Sequence, residues 1–153
     1  MERRLAFRFG GKGMKDMAVS HMMKRDVISF GKEIYCNILA ESMLKGGFGS
    51  IPIIDHQRRL IGIVSEYDLL NALTKGMDLR ETLAFEVMTQ PAVTIKEEMP
   101  IEEVILLLQS QHFIRVPVVD PEGKLIGIVA RRDILGCYVK SSFGPLPGFK
   151  HDV

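Results

Sequence analysis

The chain has few of the residues that mark redox, metal-binding and secreted proteins. Its 153 residues include two cysteines, Cys36 and Cys137, and no tryptophan. The two cysteines are far apart rather than in a CxxC pair, which argues against a zinc or redox motif and indicates reduced thiols in the cytoplasm. Neither a Walker loop nor a Gly-x-Gly-x-x-Gly fingerprint occurs. We therefore expect a protein that is not an enzyme and that requires no metal or cofactor.

Charge and hydropathy exclude further classes. The formal net charge is +1, so no broad attraction to nucleic acid or to a membrane surface is expected. No apolar run approaches the roughly 20 residues that span a bilayer. The basic start, residues 1–9, is not followed by an apolar segment, so we expect no signal peptide and a cytoplasmic location.

One stretch of the chain occurs twice. The first copy reads IPIID, four polar residues, then LIGIVSEYDLL from residue 60, and the second reads VPVVD, four residues, then LIGIVARRDIL from residue 125. The offset is constant and needs no gap: Pro52 recurs as Pro117, and Asp68 recurs as Asp133, 65 positions later. A repeat this regular sets the architecture before any local feature does.

Each copy predicts the same elements. An apolar run with proline at its second position, a polar turn and a second apolar run indicate a hairpin, and charges followed by two apolar residues start a helix. Upstream, the stripe Ile101, Val104, Ile105 and Leu108 predicts another helix, and the same offset predicts its counterpart from Cys36. Before these helices we expect short strands at 27–29 and 92–94.

These elements predict an α/β (α+β) fold of two β-α-β-β-α repeats. Each copy alone is marginal in size, so we expect the two to pack sheet to sheet about a pseudo-two-fold axis with one shared core. The predicted organisation is a flexible N-terminal arm (1–18), repeat one (19–75), a linker (76–84), repeat two (85–139) and an irregular tail (140–153).

The start of the last helix in each repeat carries side chains suited to a ribose or a phosphate. Ser65 is a predicted N-cap whose hydroxyl, with the free N–H groups of the first turn, can hold such a group. The Asp68 carboxylate can accept hydrogen bonds from both hydroxyls of a ribose. A capping pair without any ligand is the alternative. The second copy has Ala130 in place of the serine, but Arg115 where the first copy has Ser50, so the two sites are expected to differ in affinity or in preferred phosphate number.

The stretch Gly62–Asp68 resembles the G-h-h-S/T-x-x-D signature of CBS domains (cystathionine-β-synthase-type domains). Ile51–Asp55 and the V-M-T run at 87–89 resemble the family's other motifs, and the resemblance covers residues 19–139. It implies a tandem pair, a Bateman module, that binds AMP, ADP, ATP or S-adenosylmethionine between its repeats. It also implies a homodimer that regulates an enzyme, transporter or channel.

Carried onto this sequence, the resemblance and the site chemistry give one candidate ligand-binding set. Adenine is expected among apolar residues, against the backbone of residues such as Val27 and Ile28, while Ser29 and Thr94 end the first strands. The full set is Val27, Ile28, Ser29, Ser50, Ile51, Pro52, Ser65, Asp68, Ala92, Val93, Thr94, Ile114, Arg115, Val116, Pro117, Ala130, Arg132 and Asp133.

Two other functions are compatible with the sequence. The pair could fold and dimerise with empty clefts and bind another protein through its faces, which the loss of the hydroxyl at Ala130 favours. A nucleic-acid-binding protein that uses the basic arm (Arg3, Arg4, Arg8, Lys12 and Lys15) is the weaker alternative, because the net charge is close to zero.

Overall fold

The computed structural model describes residues 17–143 and two short segments, 8–9 and 12–13. Most of the basic arm and residues 144–153 therefore lie outside the described residues. A 3₁₀ turn, Val19–His21, starts the continuous part, and the elements are β1 (Arg8–Phe9), β2 (Lys12–Gly13), α1 (Cys36–Gly46), β3 (Ser50–Ile54), β4 (Leu60–Ser65), α2 (Glu66–Thr74), α3 (Ala84–Val87), α4 (Ile101–Gln111), β5 (Arg115–Val119), β6 (Leu125–Ala130) and α5 (Arg131–Phe143).

The predicted repeat is present in the fold, and the mixed helix and strand class is confirmed. Strands β3 and β4 form an antiparallel hairpin, and β5 and β6 form a second one with the same register, including a shift at Ile53/Ile54 and at Val118/Val119. The predicted helical stripe is buried in α4 through Ile101, Val104 and Leu108, and its counterpart is buried in α1. Helix α5 extends past the predicted repeat boundary at residue 139.

The first strand of each repeat is shorter than predicted and lies later in the chain. Residues 27–29 and 92–94 form no strand, and the pairing is reduced to single parallel bridges, Phe30 with Ile53 and Ile95 with Val118. Phe30 donates its N–H to the carbonyl of Pro52, and Ile95 does the same to Pro117. Since proline has no N–H, Pro52 and Pro117 cannot donate the next ladder bond to a carbonyl upstream of Phe30 or Ile95, and the pairing stops there.

The segment that leads into each repeat packs in the core of the other repeat. Val19 and Met23 are buried in the cluster of repeat two with Ile101 and Ile134, while Ala84 is buried in the cluster of repeat one. The hydrophobic residues therefore form two interlocked cores rather than the single shared core expected from the sequence. We call residues 17–24 and 83–89 the lead-in segments.

Main-chain hydrogen bonds fix these exchanged segments. Lys24 exchanges backbone bonds with Ile128, and Thr89 exchanges them with Ile63 in the other hairpin. The glycine that precedes each of these strand residues makes the contact possible. A Cβ on Gly62 would lie 3.0 Å from the Thr89 carbonyl oxygen and 2.7 Å from the Met88 sulfur. Gly62 thus admits a backbone rather than a ligand.

The two hairpins also meet directly. The N–H of Leu60 donates to the carbonyl of Gly123, and the N–H of Leu125 donates to that of Arg58, both at 3.0 Å. Across the described ranges, none of the helices has the length and apolar character to cross a bilayer.

Candidate functional site

Two cavities lie between the repeats and are related by the repeat itself. The first cavity, of about 530 Å³, includes Ser65 and Asp68 at the start of α2. The second cavity, of about 650 Å³, includes Ala130 and Asp133 at the start of α5. Ala130 lies 65 positions after Ser65, and Asp133 lies 65 positions after Asp68. The two cavities are therefore built from equivalent parts of the fold.

Each cavity joins the helix start of one repeat to residues that follow the lead-in segment of the other. Ala92 and Val93 line the first cavity with Asp68, whereas Val27 and Ile28 line the second with Asp133. Each cavity combines residues of both repeats because the lead-in segments are exchanged between them. An adenine held beside Val27 and Ile28 would therefore share its cavity with Asp133, not with Asp68 of its own repeat.

A capping box fixes the polar end of the first cavity. Ser65 is extended (φ −103°, ψ 164°), and its hydroxyl oxygen accepts a hydrogen bond from the Asp68 N–H at 3.1 Å. In return, the Ser65 N–H and hydroxyl donate to Asp68 Oδ2 at 2.8 and 3.0 Å. The predicted N-cap is therefore present, and it holds the carboxylate in one orientation.

The other oxygen of the same carboxylate, Oδ1, accepts fewer hydrogen bonds. The Thr89 hydroxyl lies 3.3 Å from Asp68 Oδ1 and 3.5 Å from Oδ2, so it donates mainly to Oδ1. A carboxylate oxygen accepts two hydrogen bonds, so Oδ1 can accept one more from a ligand hydroxyl.

The second cavity has the same backbone arrangement with different side chains. The Ala130 N–H donates to Asp133 Oδ2 at 2.8 Å, but alanine supplies no hydroxyl. Asp133 Oδ1 lies 3.4 Å from Lys24 Nζ, and its side chain is 10% exposed. Lys24 occupies the position that Thr89 has in the first cavity. A cation thus replaces a hydroxyl beside the carboxylate.

Arg115 lines both cavities. It begins β5, pairs in register with Ala130, and stacks over the Phe48 ring at 5.2 Å from the centroid. Burial lowers the pKa of its guanidinium, and the charge of Asp133 opposes that shift. Its Nε is buried without a hydrogen-bond partner among the described residues. This guanidinium is therefore placed to donate to an anion in either cavity.

Ser50 is the repeat counterpart of Arg115 and borders the first cavity. It pairs in register with Ser65. Its hydroxyl is buried and has no partner in the part of the chain that the structure describes. An unsatisfied buried hydroxyl carries a free-energy cost that a bound ligand or water would relieve.

The structure brings most of the candidate residues to one cavity or the other. Ser29, Thr94, Ile51 and Pro52 line neither, and the last two are buried within the first hairpin. The first cavity contains Ser50, Ser65, Asp68, Ala92, Val93, Ile114, Arg115, Val116 and Pro117. The second contains Val27, Ile28, Ile114, Arg115, Ala130, Arg132 and Asp133.

Sequence reasoning did not select Lys24, Thr89 or Glu66, which also line the cavities. Thr89 was part of a recognised motif, and the offset of 65 pairs it with Lys24. That comparison would have found both residues, although it would not have shown that each contacts the aspartate of the other repeat.

Comparison with known proteins identifies the repeat. The CBS domain family model matches residues 19–75 and 84–140. An uncharacterized protein of Methanopyrus kandleri is 35% identical over 123 residues, which are 80% of this chain and 63% of that protein. The chain spans less than two thirds of the length of several such curated relatives.

Solved structures of CBS pairs are similar along most of the chain. The CBS domain pair of protein MJ0100, in complex with 5-methylthioadenosine and S-adenosyl-L-methionine, is 26% identical with a TM-score of 0.70, over 78% of this chain and 94% of that one. CBSX2 of Arabidopsis thaliana in complex with AMP is 25% identical with a TM-score of 0.71, over 80% and 96% of the two chains.

Proposed function

The chain belongs to the CBS domain family, and we propose that it is a regulatory module that binds an adenosyl ligand in the cavities between its repeats. The ligands considered are AMP, ADP, ATP and S-adenosylmethionine. The observation that carries the proposal is the Asp68 carboxylate, which is held by the capping box with Oδ1 available toward the first cavity.

The composition of the first cavity suits a nucleoside. Its apolar wall includes Val93, Ile114 and Pro117, which can pack against the faces of an adenine ring. Asp68 lines the same cavity, and its Oδ1 can accept a hydrogen bond from a ribose hydroxyl. The start of α2 and the guanidinium of Arg115 supply donors for a group at the ribose 5′ position.

The similar CBS pairs support the choice of ligand class. One holds 5-methylthioadenosine and S-adenosylmethionine, and another holds AMP. All three ligands carry adenine on a ribose and differ in the substituent at the 5′ carbon, so the adenosyl group is what this chain is proposed to recognise. Regulation additionally requires that the ligand favour one of two conformations or assemblies of the module. The regulated partner is proposed to be an enzyme, transporter or channel.

Calorimetric titration of nucleotide-free protein with AMP, ATP and S-adenosylmethionine tests the proposal. We expect micromolar binding of at least one ligand. Loss of hydrogen bonds to a charged group weakens binding by roughly 1.5–3 kcal/mol, so Asp68→Ala or Asp133→Ala should lower the affinity about tenfold or more at its own cavity. The variant that loses binding identifies the occupied cavity.

Absence of heat with all three ligands, from protein shown to be folded by circular dichroism, would contradict the proposal. It would favour the alternative in which the pair binds another protein with its cavities empty.

We also propose that the module is a homodimer. Helix α2 exposes Tyr67, Leu70 and Leu73 at intervals of three residues, and α5 exposes Leu135, the repeat counterpart of Leu70. An apolar row on the outside of α2, with an exposed leucine at the equivalent place on α5, is typical of a surface that is covered by a partner. A two-fold dimer would cover these residues with copies of the same surface.

A further inference from the structure

We propose that Lys24 makes the second cavity selective for an adenosyl ligand that carries a phosphate, while Thr89 leaves the first cavity to ligands without one. This inference rests on the proposed function, since it concerns which form of the ligand each cavity takes. It assigns a specificity role to Lys24, a residue that only the exchanged lead-in segments bring to the cavity.

The backbone around the two positions is the same. Lys24 pairs with Ile128 through hydrogen bonds of 2.9 Å in both directions, and Thr89 pairs with Ile63 at 3.1 and 2.9 Å. Each side chain then contacts Oδ1 of the aspartate at the start of the neighbouring helix. The cavities therefore differ here in side-chain chemistry and not in main-chain geometry.

The other charged residues that line the cavities do not explain a difference in their preference for a phosphate. Glu66 and Arg115 line both cavities, so they act on a ligand in either one. Asp26 and Arg132 line the second cavity with opposite charges. The remaining contrast is Asp133 with the Lys24 ammonium against Asp68 with the Thr89 hydroxyl.

In the second cavity, ribose hydroxyls must approach a carboxylate that already has a cation at 3.4 Å. Donation by the ribose to Oδ1 competes with that ion pair. Lys24 is 63% exposed, so its chain can move, and a ligand phosphate offers the ammonium a replacement anion. Adenosine offers none, and it therefore displaces the ammonium without compensation.

In the first cavity we expect the opposite preference, for the ligand without a phosphate. Thr89 is a neutral donor, and the ribose can share Oδ1 with it. A phosphate adds a second negative charge near Asp68 with no lysine to offset it, since His112 and the shared Arg115 are the basic residues that line the cavity. Like charges in a partly buried site repel one another, which disfavours AMP relative to adenosine here.

AMP and adenosine differ by one phosphate and are the matched probes. In the Asp68→Ala background, which leaves the second cavity, we expect AMP to bind about tenfold or more tightly than adenosine, as for a hydrogen bond between charged groups. Adding Lys24→Thr should bring the two affinities to within roughly threefold, and Lys24→Arg should keep the preference.

The reciprocal exchange is the control. In the Asp133→Ala background, which leaves the first cavity, adding Thr89→Lys should move the preference toward AMP. Circular dichroism and thermal unfolding check that every variant is folded.

A second cavity that binds both ligands with a ratio unchanged by Lys24→Thr would overturn the role of Lys24 and leave the proposed function intact. A second cavity that prefers adenosine would overturn the inference in the same way. Failure of folded wild-type protein to bind either ligand would overturn the proposed function and this inference with it.

Discussion

Asp68 and Asp133 each cap a helix with the same oxygen, Oδ2, which accepts the amide N–H three residues upstream. Their second oxygens face different donors, a threonine hydroxyl and a lysine ammonium. Both aspartates and the missing hydroxyl at Ala130 could be predicted from the sequence, because they lie within one local motif. The donors could not, because they are distant in sequence and come from the other repeat.

Exchange of the N-cap residue between repeats tests the capping box. Ser65→Ala should lower the free energy of unfolding by about 1 kcal/mol, because α2 loses the hydroxyl that accepts from the Asp68 N–H. Ala130→Ser should raise it by a similar amount, about 1 kcal/mol, by supplying that acceptor to α5. Urea unfolding measures both, and an unchanged Ser65→Ala variant would contradict the capping geometry.

Cys36 is predicted to be inert toward thiol reagents in the folded protein. Burial, with a smaller contribution from Glu86, raises the pKa of its thiol to about 11. The unfolded thiol ionises near 9.0, so this contribution to stability is present below about pH 9 and is lost as the pH rises toward 11.

Disulfide-exchange labelling at pH 8 measures the reactivity of each thiol in the folded protein. One thiol per chain, that of the half-buried Cys137, should react quickly, and Cys137→Ser should leave none until urea is added. Rapid labelling of Cys36 in the Cys137→Ser variant would show that the core of repeat one is accessible to the reagent and would contradict the prediction.

At the scale of the elements, the hairpins and the main helices follow from the local pattern of apolar residues. Alternation, turn residues and the helical stripe all act within a few positions, so the sequence is sufficient to predict them. The first strands were predicted wrongly because their length depends on what the neighbouring strand can donate. Pro52 and Pro117 supply no N–H there, and each strand shrinks to one bridge.

The glycine in the second strand of each hairpin should be intolerant of a side chain. A Cβ on Gly62 would meet the Thr89 carbonyl oxygen at 3.0 Å, and one on Gly127 would meet that of Lys24 at the same distance. We expect Gly62→Ala and Gly127→Ala each to reduce the free energy of unfolding by roughly 1–3 kcal/mol.

Gly136, within α5, is the control for this prediction. A Cβ there meets no atom within 4 Å, so Gly136→Ala should stabilise the protein by about 0.5–1 kcal/mol through helix propensity. Urea unfolding compares the three variants. Equal stability of Gly62→Ala and wild type would mean that the lead-in segment is free to move away.

At the scale of the molecule, the exchange of lead-in segments determines which residues share a cavity. The sequence predicts two equivalent repeats about a pseudo-two-fold axis, and the repeats are present. Which core Val19, Met23 and Ala84 complete is a choice between two similar apolar surfaces, and no local pattern distinguishes them. For this reason the sequence does not predict which of the candidate residues share a cavity.

The proposed homodimer predicts that charge at the exposed leucines of α2 and α5 separates the subunits. Leu70→Glu combined with Leu135→Glu should give a monomer, because a dimer would have to bury two carboxylates per chain. Gln57→Glu, in the exposed turn of the first hairpin, adds one negative charge away from these helices and should remain dimeric. Light scattering after gel filtration gives the masses, and a wild-type monomer would contradict the proposal.

The most direct test of the central claim is a crystal structure of the protein with AMP. We predict adenosine between the repeats, with a ribose hydroxyl at hydrogen-bonding distance, about 2.6–3.2 Å, from Oδ1 of Asp68 or Asp133. The phosphate should lie near Arg115, and near Lys24 when the second cavity is occupied. AMP bound elsewhere on the surface, or both aspartates without a ribose contact at saturating AMP, would contradict the account.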